Sequence, residues 1–298
     1  MPEVVTTPDV EPVALGPGAA GALIARAGRV PLLGWEFEEW PAVSPSDMLD
    51  DAELAAVVAA VRRRLATDGF AIVRLGSIVV DQPEAIAASA ATMLASAFGA
   101  PLRIYGNNRG LWRALGADPE RPRNKSEGIG DQPHHHDFCN AEYPPDVICL
   151  LCLRPDPLGG GTSIVARMGG IEEALDQREV VALQRPVYRD GQVVNLTGIG
   201  RDANPFAVIS AAPGARYRYR FVGHLLDSAP DEETQAAVHA LARALDKRTV
   251  TYKLAAGDLL LVNQHLAVHG KRALGAGQES LPVEQRRKML LGFLRAAG

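Results

Sequence analysis

From about residue 100 onward, short β-prone runs dominate the chain, and they constrain the fold more than any other feature. Gly, Pro, Asn and Asp separate the runs and favour turns between them. The runs cover residues 146–153, 163–167, 193–197, 217–222, 249–254, 259–262 and 288–294. Scattered short strands of this kind predict a β-sandwich or barrel rather than alternating βαβ units. Helical segments are predicted between them, at 170–175 and 231–246.

The first hundred residues have a different pattern. Apolar residues at helical spacing predict a helix over 51–66, and they are Leu54, Val57, Val58, Val61 and Leu65. A strand over 70–75 and a second helix over 83–98 are predicted to follow. Residues 1–30 are rich in Ala, Gly, Pro and Val without a clear period. They predict a flexible N-terminal arm, or an edge strand plus a loop.

The remaining residues, 31–298, are predicted to form a single mixed α/β domain with a jelly-roll core (a double-stranded β-helix) and flanking helices. The chain has 298 residues, 47% hydrophobic and 22% charged, which is typical of a soluble globular protein. Its net charge of −4 argues against a nucleic acid or an anionic membrane as partner. No apolar run is long enough to span a bilayer, and the N-terminus lacks the basic region of a secretory signal. We therefore expect a cytoplasmic protein, whose oligomeric state the sequence does not predict.

Three cysteines in a long chain do not describe a disulfide framework. Cys149 and Cys152 form a C-x-x-C within a predicted buried strand. Residues three apart on a strand point to opposite faces, so the two thiols are poorly placed to share a metal ion. We interpret them as small core residues, and Cys139 in the same way.

Two histidine segments far apart in the chain carry the main functional signal. His135 and Asp137 lie two residues apart, a spacing that on a strand puts both side chains on one face. His269 is the best candidate for a third ligand. Two imidazoles and one carboxylate are the ligands of the facial triad that holds non-haem Fe(II) and leaves positions open. A competing same-face pair is His134 with His136, and a surface site that takes up zinc is a further alternative.

Residues 132–167 and 257–271 resemble the iron-binding segments of Fe(II)/2-oxoglutarate-dependent oxygenases. The resemblance is to the clavaminate synthase-like branch of the taurine dioxygenase superfamily, and it covers roughly residues 100–295. It implies that His135, Asp137 and His269 bind Fe(II), with 2-oxoglutarate and O2 as cosubstrates. It also implies that Thr162, after three glycines, helps to bind the 2-oxoglutarate carboxylate.

The resemblance places an arginine that anchors the far carboxylate of 2-oxoglutarate on a strand after the distal histidine. Arg287 is the favoured candidate, because Met289, Leu291 and Phe293 would share its inward face. Arg286 is the alternative, since the gap between His269 and this segment is somewhat long for the branch. A guanidinium suits the role because it can bind a carboxylate with two parallel hydrogen bonds.

Residues 121–131 form a polar, glycine-containing segment that leads into the iron-binding residues. Loops at the mouth of a barrel commonly contact substrate, so Asn124, Ser126 and Glu127 are candidates for substrate binding. In a later strand, arginines alternate with aromatic residues, at positions 216, 218 and 220. That polar face is expected to be solvent-exposed; the alternative is that it binds an acidic group of the substrate.

The resemblance implies an oxygenase that hydroxylates an unactivated C–H bond of a small molecule. A free amino acid or a derivative in specialised metabolism is the expected substrate, by analogy with the branch. Desaturation or cyclisation stays open, because these outcomes depend on how the substrate is placed. Two other classes also stay open: a zinc-dependent hydrolase with the same ligands, and a non-catalytic jelly-roll binding protein with a relic metal site.

Overall fold

The computed structural model describes residues 10–30, 34–35, 50–104, 111–191, 199–202, 204–212 and 215–296. The helices are α1 (Pro17–Ala27), α2 (Ala52–Thr67), α3 (Ser77–Val80), α4 (Glu84–Ser96), α5 (Gln177–Gln184), α6 (Leu225–Ser228) and α7 (Glu232–Lys247). The strands are β1 (Val13–Ala14), β2 (Phe70–Arg74), β3 (Ala100–Pro101), β4 (Arg113–Gly116), β5 (Gln132–His135), β6 (Val147–Arg154), β7 (Ser163–Arg167), β8 (Ile209–Ala212), β9 (Ala215–Tyr219), β10 (Thr249–Tyr252), β11 (Asp258–Asn263), β12 (Ala267–Lys271) and β13 (Lys288–Arg295). The predicted strand at 193–197 lies outside the described residues.

A larger sheet has the order β1-β2-β11-β6-β13-β3, with β4 also paired to β13. Its central strands are antiparallel, and their side chains alternate between two apolar layers. Leu259 and Leu261 of β11 pack with helices α2 and α4, whereas Leu260 packs on the opposite side. This alternation buries both faces of the sheet.

A smaller sheet has the order β10-β7-β12-β5, and β8 pairs with β9 in a separate two-stranded sheet. Val165 of β7 and Ala267 of β12 contribute to the apolar layer that this sheet shares with the larger one. Their neighbours Ala166 and Val268 face the other way and pack with helices α5 and α7. The protein is therefore a mixed α/β fold in which two sheets share one apolar layer and helices cover their outer faces.

The predicted helices and strands of the first hundred residues are confirmed, with ends shifted by one or two residues. Helix α2 begins after Asp51, whose carboxylate accepts hydrogen bonds from the backbone N–H groups of Glu53 and Leu54, both at 3.0 Å. All five apolar residues predicted to face the core from this helix are buried. The sequence pattern missed the short strands β3, β4, β5, β8 and β12 and the helices α3, α5 and α6.

The prediction for residues 1–30 is wrong for residues 17–27. These form helix α1, in which Ala19, Leu23 and Ala27 are fully buried against the helical layer. Small alanines and glycines gave no clear helical period in the sequence, but they allow close packing of α1 against α4. The arm is thus partly a packed helix, preceded by the two-residue strand β1, which pairs with β2.

Cys149 and Cys152 lie in β6 and are both buried free thiols. Cys149 belongs to the layer beneath the helices, and Cys152 to the layer between the sheets. Burial raises the pKa of each thiol, so neither carries thiolate character at neutral pH. The interpretation of this C-x-x-C as two core residues is confirmed. In the part of the chain that the structure describes, no helix combines the length and apolarity needed to cross a bilayer.

Candidate metal centre

Strands β5 and β12 bring the predicted metal ligands together. His135 and His269 are directly opposite each other in the antiparallel pairing of these strands. The Nε2 atom of His135 lies 3.7 Å from Oδ1 of Asp137, and Nε2 of His269 lies 3.7 Å from Oδ2 of Asp137. One donor atom from each of the three residues lies within 4.8 Å of the others. This is the only such group of three or more potential metal ligands among the described residues.

Asp137 reaches this group from a turn rather than from a strand. Strand β5 ends at His135, and Phe138 has a φ of 53°, in the left-handed region that few residues other than glycine adopt. The backbone N–H of Asp137 donates to Oε1 of Gln264 at 2.6 Å, and Gln264 Nε2 donates to the carbonyl of Pro145 at 3.0 Å. The predicted same-face spacing on a strand is therefore wrong in detail, although the two side chains do converge.

The surroundings of the two imidazoles suit metal binding. The Nδ1 atom of His135 lies 2.9 Å from the carbonyl oxygen of Pro133, so Nδ1 carries the proton and Nε2 keeps its lone pair. Burial lowers the pKa of His269 well below its usual range, and the neighbouring histidines lower it further. A neutral imidazole is the form that binds a metal ion. Burial raises the pKa of Asp137, while His135 and Arg113 act against the rise.

The competing pair, His134 with His136, is held elsewhere. The backbone N–H of Phe221 donates to Nδ1 of His136 at 2.9 Å. The Nε2 atom of His134 lies 3.2 Å from the hydroxyl of Thr249, on the side of the sheet covered by α7. Burial lowers the pKa of His134 to about 4 and that of His136 to about 3. The adjacent histidines thus point away from the candidate metal centre.

A cavity opens beside Asp137 and His269. Polar and apolar side chains line it together, from the loop before β5 and from the two sheets: Ser126, Gln132, Ser163, Lys271, Arg287, Leu115, Leu150, Met289 and Leu291. Arg287 is on this cavity, as are Met289 and Leu291, which were predicted to share its face. Arg286 instead donates from Nε to the carbonyl of Leu281 at 2.9 Å. Of the two candidate arginines, Arg287 lines this cavity and Arg286 does not.

Lys271 is a residue of this cavity that no sequence motif singled out. Its side chain is buried, and its Nζ donates to the carbonyls of Gly128 at 2.8 Å and Gly130 at 2.6 Å. Burial and the nearby Arg287 lower the pKa of Lys271 to about 8, so it is mostly protonated at neutral pH. One signal was available: on a strand, a residue two positions after His269 shares its face.

The structure places the remaining candidate site residues in different surroundings, and only one of them lines the cavity. Ser126 lines the cavity and accepts a hydrogen bond from Gln132 at 3.2 Å. Glu127 lies 3.7 Å from the guanidinium of Arg113, and Asn124 is exposed. Thr162 accepts a backbone hydrogen bond from Arg272, whereas its neighbour Ser163 lines the cavity. Roles for Asn124, Ser126, Glu127 and Thr162 therefore stay predictions.

The comparison with known families agrees with this geometry. The family model described as taurine catabolism dioxygenase TauD, TfdA family matches residues 36–292. The chain belongs to this family. The resemblance to the taurine dioxygenase superfamily inferred from the sequence is thereby confirmed.

Individual relatives include an L-asparagine oxygenase of Streptomyces coelicolor (strain ATCC BAA-471 / A3(2) / M145). It is 29% identical over 138 residues, which are 46% of this chain and 40% of that protein, so the match spans less than half of the relative's length.

A crystal structure of asparagine oxygenase superposes with a TM-score of 0.76 at 20% identity, covering 97% of this chain and 94% of that one. The non-heme iron oxygenase OrfP, in complex with Fe and alpha-ketoglutaric acid, superposes with a TM-score of 0.73 at 16% identity, covering 97% and 95%. These structural likenesses show a shared fold.

Proposed function

We propose that the protein is an Fe(II)- and 2-oxoglutarate-dependent oxygenase that hydroxylates a C–H bond of a free amino acid or a close derivative. One observation carries the proposal: His135, Asp137 and His269 converge beside a cavity that also contains Lys271 and Arg287. Two imidazoles and a carboxylate suit Fe(II), and two cations suit a dicarboxylate cosubstrate. Family membership supports the same activity.

In this proposal His135, Asp137 and His269 hold the iron. When bound, Fe(II) would supply the oxidative chemistry with O2 and 2-oxoglutarate. Amino-acid side chains alone do not provide this chemistry. The protein contributes by orienting the ligands: Pro133 fixes the proton on His135, and Gln264 holds the backbone of Asp137.

Arg287 and Lys271 are proposed to bind the far carboxylate of 2-oxoglutarate. The Arg287 guanidinium makes no hydrogen bond or ion pair within the described ranges, and burial lowers its pKa. Asp156, whose charge acts on Arg287, already accepts hydrogen bonds from the backbone N–H groups of Gly160 and Gly275. Lys271 uses two of its three N–H donors on backbone carbonyls, which leaves one for a carboxylate.

We also propose that the two larger sheets form a double-stranded β-helix and that the oxygenase domain predicted for residues 31–298 also includes β1 and helix α1, which pack on it. Extensive superposition on asparagine oxygenase and OrfP supports this architecture. The same proteins support an amino acid as substrate, since one was crystallised with 2S,3S-3-hydroxyasparagine and the other with (3S)-hydroxy-L-Arg.

Anaerobic titration with Fe(II) and 2-oxoglutarate, followed by visible absorbance, tests the proposal. We expect a charge-transfer band that needs both additions and is absent in His135→Ala. Arg287→Ala should weaken 2-oxoglutarate binding about 10- to 100-fold, because a charged hydrogen-bonding partner is lost. Arg286→Ala is the matched control, with little change expected. A folded, metal-loaded protein without the band would contradict the proposal and favour a zinc hydrolase or a binding protein.

A further inference from the structure

A second cavity borders the segment that carries His135 and Asp137, since His136 is one of its lining residues. It is lined by His136, Cys139, Arg218, Arg220, Gln264 and His265, among others. Gln264 connects it to the candidate metal centre, because its Oε1 accepts the backbone N–H of Asp137 at 2.6 Å. The chain after β9 runs beside β5: Phe221 accepts a backbone hydrogen bond from His136 at 2.7 Å, and Val222 bridges to His135. The second cavity is thus attached directly to the ligand-bearing segment.

The two arginines of this cavity carry positive charge without a described counter-ion. Neither guanidinium forms a hydrogen bond or an ion pair with the residues that the structure describes. Burial lowers the pKa of Arg220, and the charge of Arg218 lowers it further. The exposed polar face expected for this strand is therefore wrong for these two side chains, which are partly buried.

Acidic groups near the second cavity are already engaged. Asp146 lies 2.5 Å from Nε2 of His265 and 3.3 Å from the guanidinium of Arg295. Asp190 accepts from the thiol of Cys139 at 3.5 Å and lies 3.8 Å from His224. These carboxylates are bound to other partners, so among the described residues they are not paired with the two arginines.

His136 adds a further donor. Its Nδ1 accepts the N–H of Phe221, so the proton of the neutral ring is on Nε2. This Nε2 is buried and has no hydrogen-bond partner among the described residues, and only 4% of His136 is exposed. A buried N–H without an acceptor is unfavourable, and it is satisfied when an acceptor occupies the cavity. Three hydrogen-bond donors thus border one small space.

We infer that the Arg218–Arg220 cavity binds the side-chain carboxylate of the substrate, which makes the substrate an acidic amino acid. The inference rests on the proposed function and names its substrate class. A carboxylate accepts hydrogen bonds at both oxygens and fits a guanidinium in a bidentate geometry. The isosteric amide would turn an N–H toward these donors, so asparagine and glutamine are disfavoured. The amino acids crystallised with the related enzymes are neutral or cationic in their side chains, so this chain would differ from them.

The test uses the band formed by Fe(II) and 2-oxoglutarate as its reporter. Under anaerobic conditions, L-aspartate, L-glutamate, L-asparagine and L-glutamine are each titrated into the metal- and 2-oxoglutarate-loaded full-length protein. We expect aspartate or glutamate to shift the band at concentrations at least about tenfold lower than the matching amide, as the loss of one charged hydrogen bond predicts. Turnover, measured as succinate released in air, should follow the same preference.

Variants separate the side-chain carboxylate from the α-carboxylate. Arg220→Gln and Arg218→Gln should each weaken binding of the acidic amino acid at least about tenfold while leaving binding of its amide nearly unchanged. An intact band in each variant establishes that it is folded and loaded. Arg63→Gln, an exposed arginine on helix α2, is the matched control and should change nothing.

Three results would overturn the inference. Equal losses for acid and amide would mean that the arginines bind the α-carboxylate instead. An intact band that neither aspartate nor glutamate shifts would rule out acidic amino acids as ligands of this cavity. Absence of the band itself would overturn the proposed function, and the substrate class with it, which distinguishes the two failures.

Discussion

The two larger sheets of this protein, one of seven strands and one of four, bury different kinds of side chain. In the larger sheet, β11 places Leu259 and Leu261 under the helices and Leu260 between the sheets. In the smaller sheet, the face that turns toward the larger sheet carries His269 and Lys271 on β12. The larger sheet buries mainly apolar side chains on both faces, with Asp258 paired to Arg74 at one end, and the smaller one combines an apolar end with a buried polar cluster.

This difference suggests that the larger sheet mainly stabilises the fold and that the smaller sheet mainly carries the candidate site. Burying an apolar side chain stabilises the fold in proportion to the area removed from water, about 25 cal/mol per Å². Burying imidazoles and cations without full pairing costs free energy and is tolerated where they serve a function. We therefore expect substitutions in the smaller sheet to remove activity with little loss of stability, and substitutions in the larger sheet to do the reverse.

The largest effect should come from His269→Ala. The variant loses one of three proposed metal ligands, so the Fe(II)–2-oxoglutarate band should disappear and turnover should fall at least about a thousandfold. The melting temperature of the metal-free protein should stay within a few degrees, since a buried, poorly paired imidazole is removed. His239→Ala, an exposed histidine on α7, is the control. Retention of the band in His269→Ala would contradict the proposal that the smaller sheet carries the metal ligands.

Leu261→Ala should lower the stability of the protein and leave metal binding unchanged. Leu261 is fully buried on the central strand β11, and its truncation leaves a cavity in a packed layer. We expect the free energy of unfolding in denaturant to fall by about 2–5 kcal/mol. The band per folded molecule should be unchanged. Val80→Ala, at an exposed site, serves for comparison and should change stability by less than about 0.5 kcal/mol.

Lowering the pH should destabilise the metal-free protein, because two buried histidines at strand β5 of the smaller sheet resist protonation in the folded state. The folded-state pKa values of His134 and His136 are about 4 and about 3, below the unfolded value of 6.5, so the unfolded chain binds protons more readily. Their contribution to stability is complete above pH 6.5 and is lost as the pH falls below it. Between about pH 7 and pH 5 we expect a loss of roughly 2 kcal/mol for each histidine.

Denaturant unfolding at the two pH values measures this loss. His136→Gln should reduce the pH dependence because one titrating group is removed. An equal pH dependence in the parent and the variant would contradict the assignment to His136.

Gln264→Leu should have an intermediate effect. The backbone N–H of Asp137 would lose its acceptor, so the carboxylate would be held less firmly toward the two imidazoles. Fe(II) affinity should fall about 10- to 100-fold, as is typical when a group that orients a metal ligand is removed. Gln235→Leu, which removes an amide hydrogen bond from helix α7 to Leu226, is the matched control. Unchanged Fe(II) affinity in Gln264→Leu would show that the turn holds Asp137 unaided.

The smallest effect should come from Asp51→Ala. The change removes the side-chain cap of helix α2 and should cost about 1 kcal/mol of stability. Iron binding should not change, since α2 lies beyond the larger sheet. Asp50→Ala, one residue earlier, should be close to neutral, and a similar loss in both variants would argue against a specific cap.

Local sequence patterns determined many of the helices and strands of this fold. The helical period of residues 51–66, and the apolar runs of β11 and β13, predicted elements that the structure contains. Short strands such as β12 were missed, because their apolar signal is interrupted by the residues of the site, His269 and Lys271. Helix α1 was missed because its alanines and glycines carry a weak period.

For the site, the sequence determined the chemistry and the tertiary structure decided the geometry. His135, Asp137 and His269 could be chosen from their residue types and from a family resemblance. Only the pairing of β5 with β12 brings two of them opposite each other, and the turn after β5, with its hydrogen bond to Gln264, brings the third beside them. The role of Lys271 and the burial of Arg218 and Arg220 also depended on the fold. Spacing along a chain specifies which face of one strand a side chain occupies, whereas distant segments meet only through packing and pairing between strands.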